Sequence, residues 1–462
     1  MGFGLCPSVR HLARDNGSHT ILQQHRECYP PRHRHRSTLT AHRWPRIYLD
    51  TSESHSYTTE GHFQGKGQFI YYGGLDDTTV NDNPTLLTMK AESIRELLAE
   101  KPRPNWEASA LTGAPTIERS REPAGGLQTN EYAELKLLIK EEGLLTRQPG
   151  YYTFKIVSTL GLLASSLAFL TLIDSLWLLL LDAVFLAFIF TQMGFIGHDA
   201  GHRQVFRSPW RNDIIGLFIN LLLGLSRTWW VDKHNRHHSN PNQPGLDPDT
   251  FIPIMAFSEE QATSKSGFYG FMVKYQAYFY LPVLAFQGLG VRLASLQYLM
   301  SSKAKYGFIE PLLMAVHLVL YLGLAYYLLG LWPAVLFVLV HQAFFGLYSG
   351  SVFAPNHKGM PILDKDSAMD FMRRQVITAR NIYGNPLTDF MYGGLNYQIE
   401  HHLFPNMPRN NLKKARKIVK SYCVAHSIPY KETNIGRSQV EILQYLHQVS
   451  APLRRESVAK SS

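Results

Sequence analysis

Two adjacent apolar runs set the first limit on what this chain can fold into. Phe154 to Ile173 is 20 residues with one charge, Lys155, at its edge. Trp177 to Gly197 is 21 residues interrupted only by Asp182. At ~1.5 Å per helical residue, each run reaches across ~30 Å of hydrocarbon. Asp174 and Ser175 leave room only for a tight turn, so the pair predicts a helical hairpin. Pro311 to Leu329 and Leu331 to Gly350 repeat the pattern without any Asp, Glu, Lys or Arg, and are linked at Gly330. The expected fold class is an all-α membrane protein with four transmembrane helices in two hairpins (about 154–173, 177–197, 311–329 and 331–350).

Charge refines this picture. The net charge of +10 is uneven: residues 1–49 carry 8 Arg against 2 acids, and residues 406–462 carry 11 Lys and Arg against 3 Glu. The stretch between them is net acidic. The tight links near Asp174 and Gly330 hold no Lys or Arg. By the positive-inside rule, both termini and the 203–310 segment face the cytoplasm and the tight turns face outward. Ile214 to Leu225 is too short to span and Tyr275 to Val291 is marginal, so both are expected to lie in the membrane interface. The basic 406–462 segment is expected to be a cytosolic tail against anionic headgroups, with no nucleic-acid role. Cys6, Cys28 and Cys423 are too few and too scattered for a disulfide scaffold.

Residues 1–65 show no helical or strand period and lack the apolar core of a signal peptide, and the expected leader runs on to residue 90. They are expected to be a disordered leader or to follow from a misassigned start, with Met89 as the alternative start. Residues 91–150 are expected to form a cytosolic helical segment, and 151–405 the membrane domain.

The histidines carry the chemistry. His198 and His202 are spaced i, i+4 at the inner end of the second run, which puts both rings on one helix face. His234, His237 and His238 share one face in the same way. Gln398, His401 and His402 repeat that spacing with Gln in the first place. In the topology above, all three clusters emerge on one membrane face. Seven neutral imidazoles are good donors to a first-row transition metal and exceed the four that one tetrahedral zinc takes. Two metals with open positions are expected, and imidazole donors without paired thiolates suit iron that activates O2. A histidine-bearing metal transporter is the distant alternative, but it would place its ligands inside the spans.

The sequence around these boxes resembles the integral-membrane fatty acid desaturases. Trp229-Trp230-x-x-Lys233-His234-Asn235-x-His237-His238, followed by Pro241-Asn242 and Asp247-Pro248-Asp249, resembles the second-box region of the front-end branch. Asn396 to Pro405 resembles that branch's third box, in which Gln replaces the first His. Similarity covers roughly residues 131–434. The resemblance implies a cytosolic helical cap carrying a di-iron site, with His198, His202, His234, His237, His238, His401 and His402 as iron ligands. His357, just after the fourth run, matches a further histidine ligand of the related acyl-CoA desaturases. Gln398 is a weak ligand or holds a water, and Asp199, Asn235 and Glu400 are candidates to orient imidazoles. Trp229, Trp230, Tyr348, Phe353 and Tyr397 are candidate walls of an acyl tunnel. His317 and His341 lie inside the spans, where a helix–helix hydrogen bond is as simple a reading as chemistry.

The implied reaction is O2-dependent insertion of a cis double bond into a fatty acyl-CoA or acyl-lipid. The sequence has no His-Pro-Gly-Gly haem motif, so it resembles the stand-alone bacterial enzymes. Electrons are then expected from a separate ferredoxin, cytochrome b5 or flavin reductase. A hydroxylase, ketolase or sphingolipid desaturase on the same scaffold is the near alternative.

Overall fold

The structure, a computed structural model, describes residues 130–301 and 303–459. The readings made for residues 1–129, including the leader, the Met89 start and most of the 91–150 segment, lie outside the described residues. The described residues are mostly helical. Helix α1 (Glu131–Glu141) is capped by the Asn130 side chain, which accepts from the Ala133 amide, and carries Glu131 and Glu134 in its first turn. Helix α2 (Pro149–Leu172) starts with proline, which needs no amide partner there. Helix α3 (Leu176–Gly201) follows after three residues. Next come α4 (Pro209–Leu223), α5 (Arg227–Ser239), the short α6 (Glu259–Thr263), α7 (Gly267–Lys274), α8 (Gln276–Ala285) and α9 (Gln287–Met300). Helices α10 (Ile309–Leu329) and α11 (Leu331–His357) are separated by Gly330 alone, whose φ of +73° is open to glycine and strained for other residues.

Helices α2, α3, α10 and α11 are long and apolar enough to cross a membrane. They coincide with the four expected runs but extend further toward the histidine end. Helix α3 continues to Gly201 and α11 to His357. Helix α3 is central: Ala183, Ile189 and Met193 are fully buried. The outer faces stay apolar and exposed, as at Phe154, Leu181, Val319 and Leu339. Trp177, Tyr327 and Trp332 are exposed beside the two tight turns, where an aromatic belt meets the interface.

The segments expected to lie flat in the interface are instead sharply bent helix pairs. Helices α4 and α5 meet at 109° across Gly224, which has φ +68°, and α8 and α9 meet at 71°. Each pair is long and apolar enough to cross the membrane only if its two helices form one span, which would make up to six. Their ends argue for entry and return on one side. Helix α4 leaves the His202 end of α3, and α5 carries His238 in its last turn. The α8 residue Gln276 donates to the carbonyl of Leu446, while Lys305, beyond α9, donates to Thr228 at the start of α5.

The remaining elements stand around the histidine end. They are α12 (Phe371–Ile377), β1 (Asn381–Ile382), α13 (Pro386–Met391), α14 (Gln398–Leu403), α15 (Arg409–Ala425), β2 (Glu432–Thr433), α16 (Ile435–Val449) and α17 (Ala451–Ala459). The two short strands pair in parallel. The segment read from its charge as a tail is therefore folded up to residue 459. Helix α15 buries Leu412, Ala415, Val419 and Tyr422 against Leu135, Ile139 and Leu403, and turns its lysines outward. The charge was legible, but the apolar stripe beneath it decides the structure.

Candidate metal centre

Four separate parts of the chain deliver eight imidazoles to one place. Helix α3 brings His198, and His202 caps its end. Helix α5 brings His234, His237 and His238 on one face, α14 brings His401 and His402, and the last residue of α11 is His357. The nitrogens of His198, His202, His234 and His401 lie within 4.8 Å of one another, and so do those of His237, His357 and His402. His238 stands between the groups, with its ring 4.5 Å from that of His234 and 4.2 Å from that of His402.

Hydrogen bonds from outside the cluster fix the rings. The Nδ1 of His198 meets Asp199 at 3.1 Å, and that of His237 meets Asp247 at 3.0 Å. The Nδ1 of His357 meets the Thr378 carbonyl at 3.0 Å, and that of His402 meets Gln375 Oε1 at 2.8 Å. Each partner is an acceptor, so each Nδ1 carries the proton and each Nε2 turns a lone pair inward. His237 and His357 consequently face each other lone pair to lone pair at 3.3 Å. The Nε2 of His234 lies 2.9 Å from that of His202 and 3.1 Å from that of His238. The Nε2 atoms of His198, His401 and His402 are buried without a partner.

Converging lone pairs repel unless a cation sits among them. With metal–nitrogen bonds of about 2.1 Å, neighbouring donors around one ion stand about 3.0–3.4 Å apart, which matches these separations. The donor set thus fits metal in two positions. Burial first, and the neighbouring imidazoles second, push His202, His234, His238, His401 and His402 well below their ordinary pKa. They are neutral at pH 7, as ligation requires.

The other expected site residues divide. Asp199 bonds the His198 ring, and its second oxygen pairs with the buried guanidinium of Arg409 at 3.0 Å. Glu400 lies behind the third box, bonded to Tyr430 at 2.7 Å and Asn381 at 2.8 Å, and burial raises its pKa to about 7. Asn235 is exposed on the outer side of α5, away from the rings it was expected to orient. The Gln398 side chain donates to His357 Nε2 at 2.9 Å while its oxygen accepts from Asn356 at 3.1 Å. Trp230 stacks on His234 at 4.5 Å and walls the cluster, whereas Trp229 is half-buried near the start of α5. Tyr348 stacks on Phe188, Phe353 packs edge-on to Phe195, and Tyr397 bonds Asp389. Asp182 pairs with Ser166 of α2 at 2.9 Å.

Sequence reading missed Gln375, Arg409 and the role of Asp247. Asp247 stood in a quoted motif, two residues from a second Asp, with nothing in the spacing to say which one reaches a ring. Gln375 and Arg409 carry no local signal at all.

The chain matches the family model described as fatty acid desaturase over residues 175–434. An acyl-lipid (9-3)-desaturase of Physcomitrium patens is 32% identical over 332 residues, covering 69% of this chain and 62% of the relative. A Delta(6)-fatty-acid desaturase of Caenorhabditis elegans is 33% identical over 321 residues, 65% of this chain and 70% of the relative. A Delta(8)-fatty-acid desaturase of Euglena gracilis is 29% identical, covering 75% and 85%. The chain thus spans less than two thirds of the Physcomitrium patens relative's length.

Proposed function

Because the chain belongs to the fatty acid desaturase family, we propose that it is a membrane di-iron desaturase that inserts a cis double bond into a fatty acyl chain carried on a lipid or on CoA. One observation carries the reading: eight inward-facing imidazoles, at one end of four membrane-length helices, with donor spacings suited to two metal positions. An unactivated methylene offers no acidic proton and no leaving group, so acid–base or nucleophilic groups cannot attack it. Bound iron supplies the missing chemistry, O2 being reduced to water as two electrons, two protons and the two hydrogens of adjacent carbons are consumed.

The chain's own residues do the positioning. Asp199, Asp247, Gln375 and the Thr378 carbonyl hold protons on the outer nitrogens, so that the inner nitrogens stay free to bind. Trp230 excludes water from one side of the first group. Fixing the acyl chain against this centre sets which carbons react, and Tyr348, Phe353, Tyr397 and Trp229 are the proposed walls. The relatives are named for different positions on the chain, so both early-carbon and mid-chain insertion stay within the proposal. Electrons come from ferredoxin, cytochrome b5 or a flavin reductase, and the exposed Lys414 and Lys417 of α15 offer an acidic donor a cationic face. The termini and the centre face the cytoplasm.

Expression in a host of defined lipid content, followed by mapping of double-bond positions, tests the function. New alkenes are expected, together with close to two irons per purified chain. His237→Ala should abolish product while the protein stays in the membrane. Hydroxy or keto acids without a new alkene would move the reading to a hydroxylase or ketolase, and zinc in place of iron would remove it.

A further inference from the structure

Four arginines are buried among the described residues, and three of them have a carboxylate. Arg227 pairs with Asp213, Arg380 with Glu441 and Arg409 with Asp199. Arg292 has none. It lies on α9, the returning arm of a bent pair, and turns inward against α11. Its Nη1 donates to the Gly288 carbonyl at 3.0 Å and to Gln342 Oε1 at 2.6 Å, and its guanidinium lies 5.7 Å from the centre of the Phe345 ring. Its Nη2 is buried without a partner.

The neighbours extend a one-way chain of donors. Arginine can only donate, so the Gln342 oxygen faces it and the Gln342 amide points onward. That amide donates to the Tyr321 hydroxyl at 3.2 Å. The same amide also lies 3.1 Å from His341 Nδ1, and because an amide nitrogen only donates, that Nδ1 accepts and receives the Tyr321 hydroxyl proton from 2.5 Å as well. An imidazole that accepts at Nδ1 and is neutral carries its proton on Nε2. The His341 Nε2 is fully buried and has no partner, and neither has the Ser295 hydroxyl one turn along α9 from Arg292. Unmet donors thus accumulate in a low-dielectric interior where, among the described residues, no carboxylate pairs with Arg292. An unpaired charge there is costly, and such a residue marks a ligand by default.

We infer that Arg292, with Gln342, His341 and Ser295, binds the oxyanion of a lipid: a fatty-acid carboxylate or a phospholipid phosphate. The site is distinct from the histidine centre, since His341 is 16 residues, or about 24 Å of helix, from His357 on α11. The exposed Leu289, Leu293 and Leu296 of α9 give the lipid's tail an apolar surface beside it.

Thermal melting of the purified, full-length protein in micelles tests this with three probes. Oleate should raise the midpoint saturably, and oleyl alcohol, which has a like tail but no charge, should not. Dioleoyl phosphatidate stabilising more than oleate would assign the site to phosphate, and the reverse order to carboxylate. Arg292→Met should fold, because it removes an unpaired buried charge, and should lose the oleate response. A fatty acid with a photoreactive diazirine next to its carboxyl, used on the wild-type protein, should label peptides containing Tyr321 or His341. Equal shifts with oleate and oleyl alcohol, an unchanged oleate response in Arg292→Met, or labelling confined to the histidine-box peptides would each overturn the inference. None of these outcomes bears on double-bond formation, which is read separately.

Discussion

Gln375 shows how little local sequence says about which atom of a histidine is free. Its amide oxygen accepts from His402, and its nitrogen donates to the His238 carbonyl at 2.9 Å, so one side chain ties the second box to the third. Removing an outer partner of a ligand histidine typically lowers metal affinity by about 10–100-fold. Gln375→Leu is expected to fall in that range, measured as iron retained against a competing chelator. Gln375→Glu keeps the acceptor for His402 and loses only the donor to His238, so it should retain more iron than the leucine variant. The reverse order would mean that the tie to α5, not the ring orientation, matters. The seven box histidines were legible because side chains that share one helix face repeat at i, i+3 or i+4. Their partners need no such spacing. Gln375 is 27 residues from His402, and Arg409 is more than 200 residues from Asp199. Asn235 failed for the complementary reason: its place within a box motif says nothing about which face of α5 it occupies.

At the scale of elements, hydropathy located four helices but not their ends, because a helix that leaves the hydrocarbon can continue through polar residues once they have partners. The Asn356 side chain on α11 donates to Val352 and Leu395 carbonyls, which lets the helix run on to His357. The α8–α9 pair was also hidden, because its depth depends on how closely it approaches α11. Gly346 permits that approach: a Cβ there would stand 2.4 Å from the Leu284 carbonyl oxygen and 2.6 Å from that of Ala285. Both obstacles are backbone, so α8 itself would have to move. Gly346→Ala should destabilise the protein by about 1–3 kcal/mol, as overpacking usually does, and lower its melting temperature in detergent. Unchanged melting would show that α8 is free to shift. The docking of α15 has its own reporter. Cys423 is fully buried, and burial, with Glu400 and Glu131 adding to it, pushes its thiol up to about 12. At pH 8 almost no thiolate forms, so Cys423 should resist alkylation until denaturant is added, as followed by peptide mass spectrometry. Modification in the native protein would place α15 in a loosely docked state.

At the scale of the whole molecule, the cluster requires an even count of crossings between any two of its contributors. Helices α3 and α11 deliver His198 and His357 at the same end, with one out-and-back pair, α10 and α11, between the second and third boxes. If either bent pair crossed the membrane once, the histidines on its two sides would be parted, and the 2.9–3.3 Å contacts among boxes and His357 could not form. Absolute orientation is a separate matter, decided by charge: the basic segments should stay in the cytoplasm and the uncharged turn at Gly330 should cross. Single cysteines introduced at Asp174 and Trp332, both exposed beside the tight turns, should react with an impermeant maleimide on intact cells. Cysteines at Lys365 and Lys417, exposed at the histidine end, should react only after lysis. Reaction of all four from one side would contradict the four-span arrangement. A full reversal would keep the arrangement but move the centre across the membrane, away from any cytoplasmic electron donor, so the labelling result tests the proposed redox partner as well as the topology.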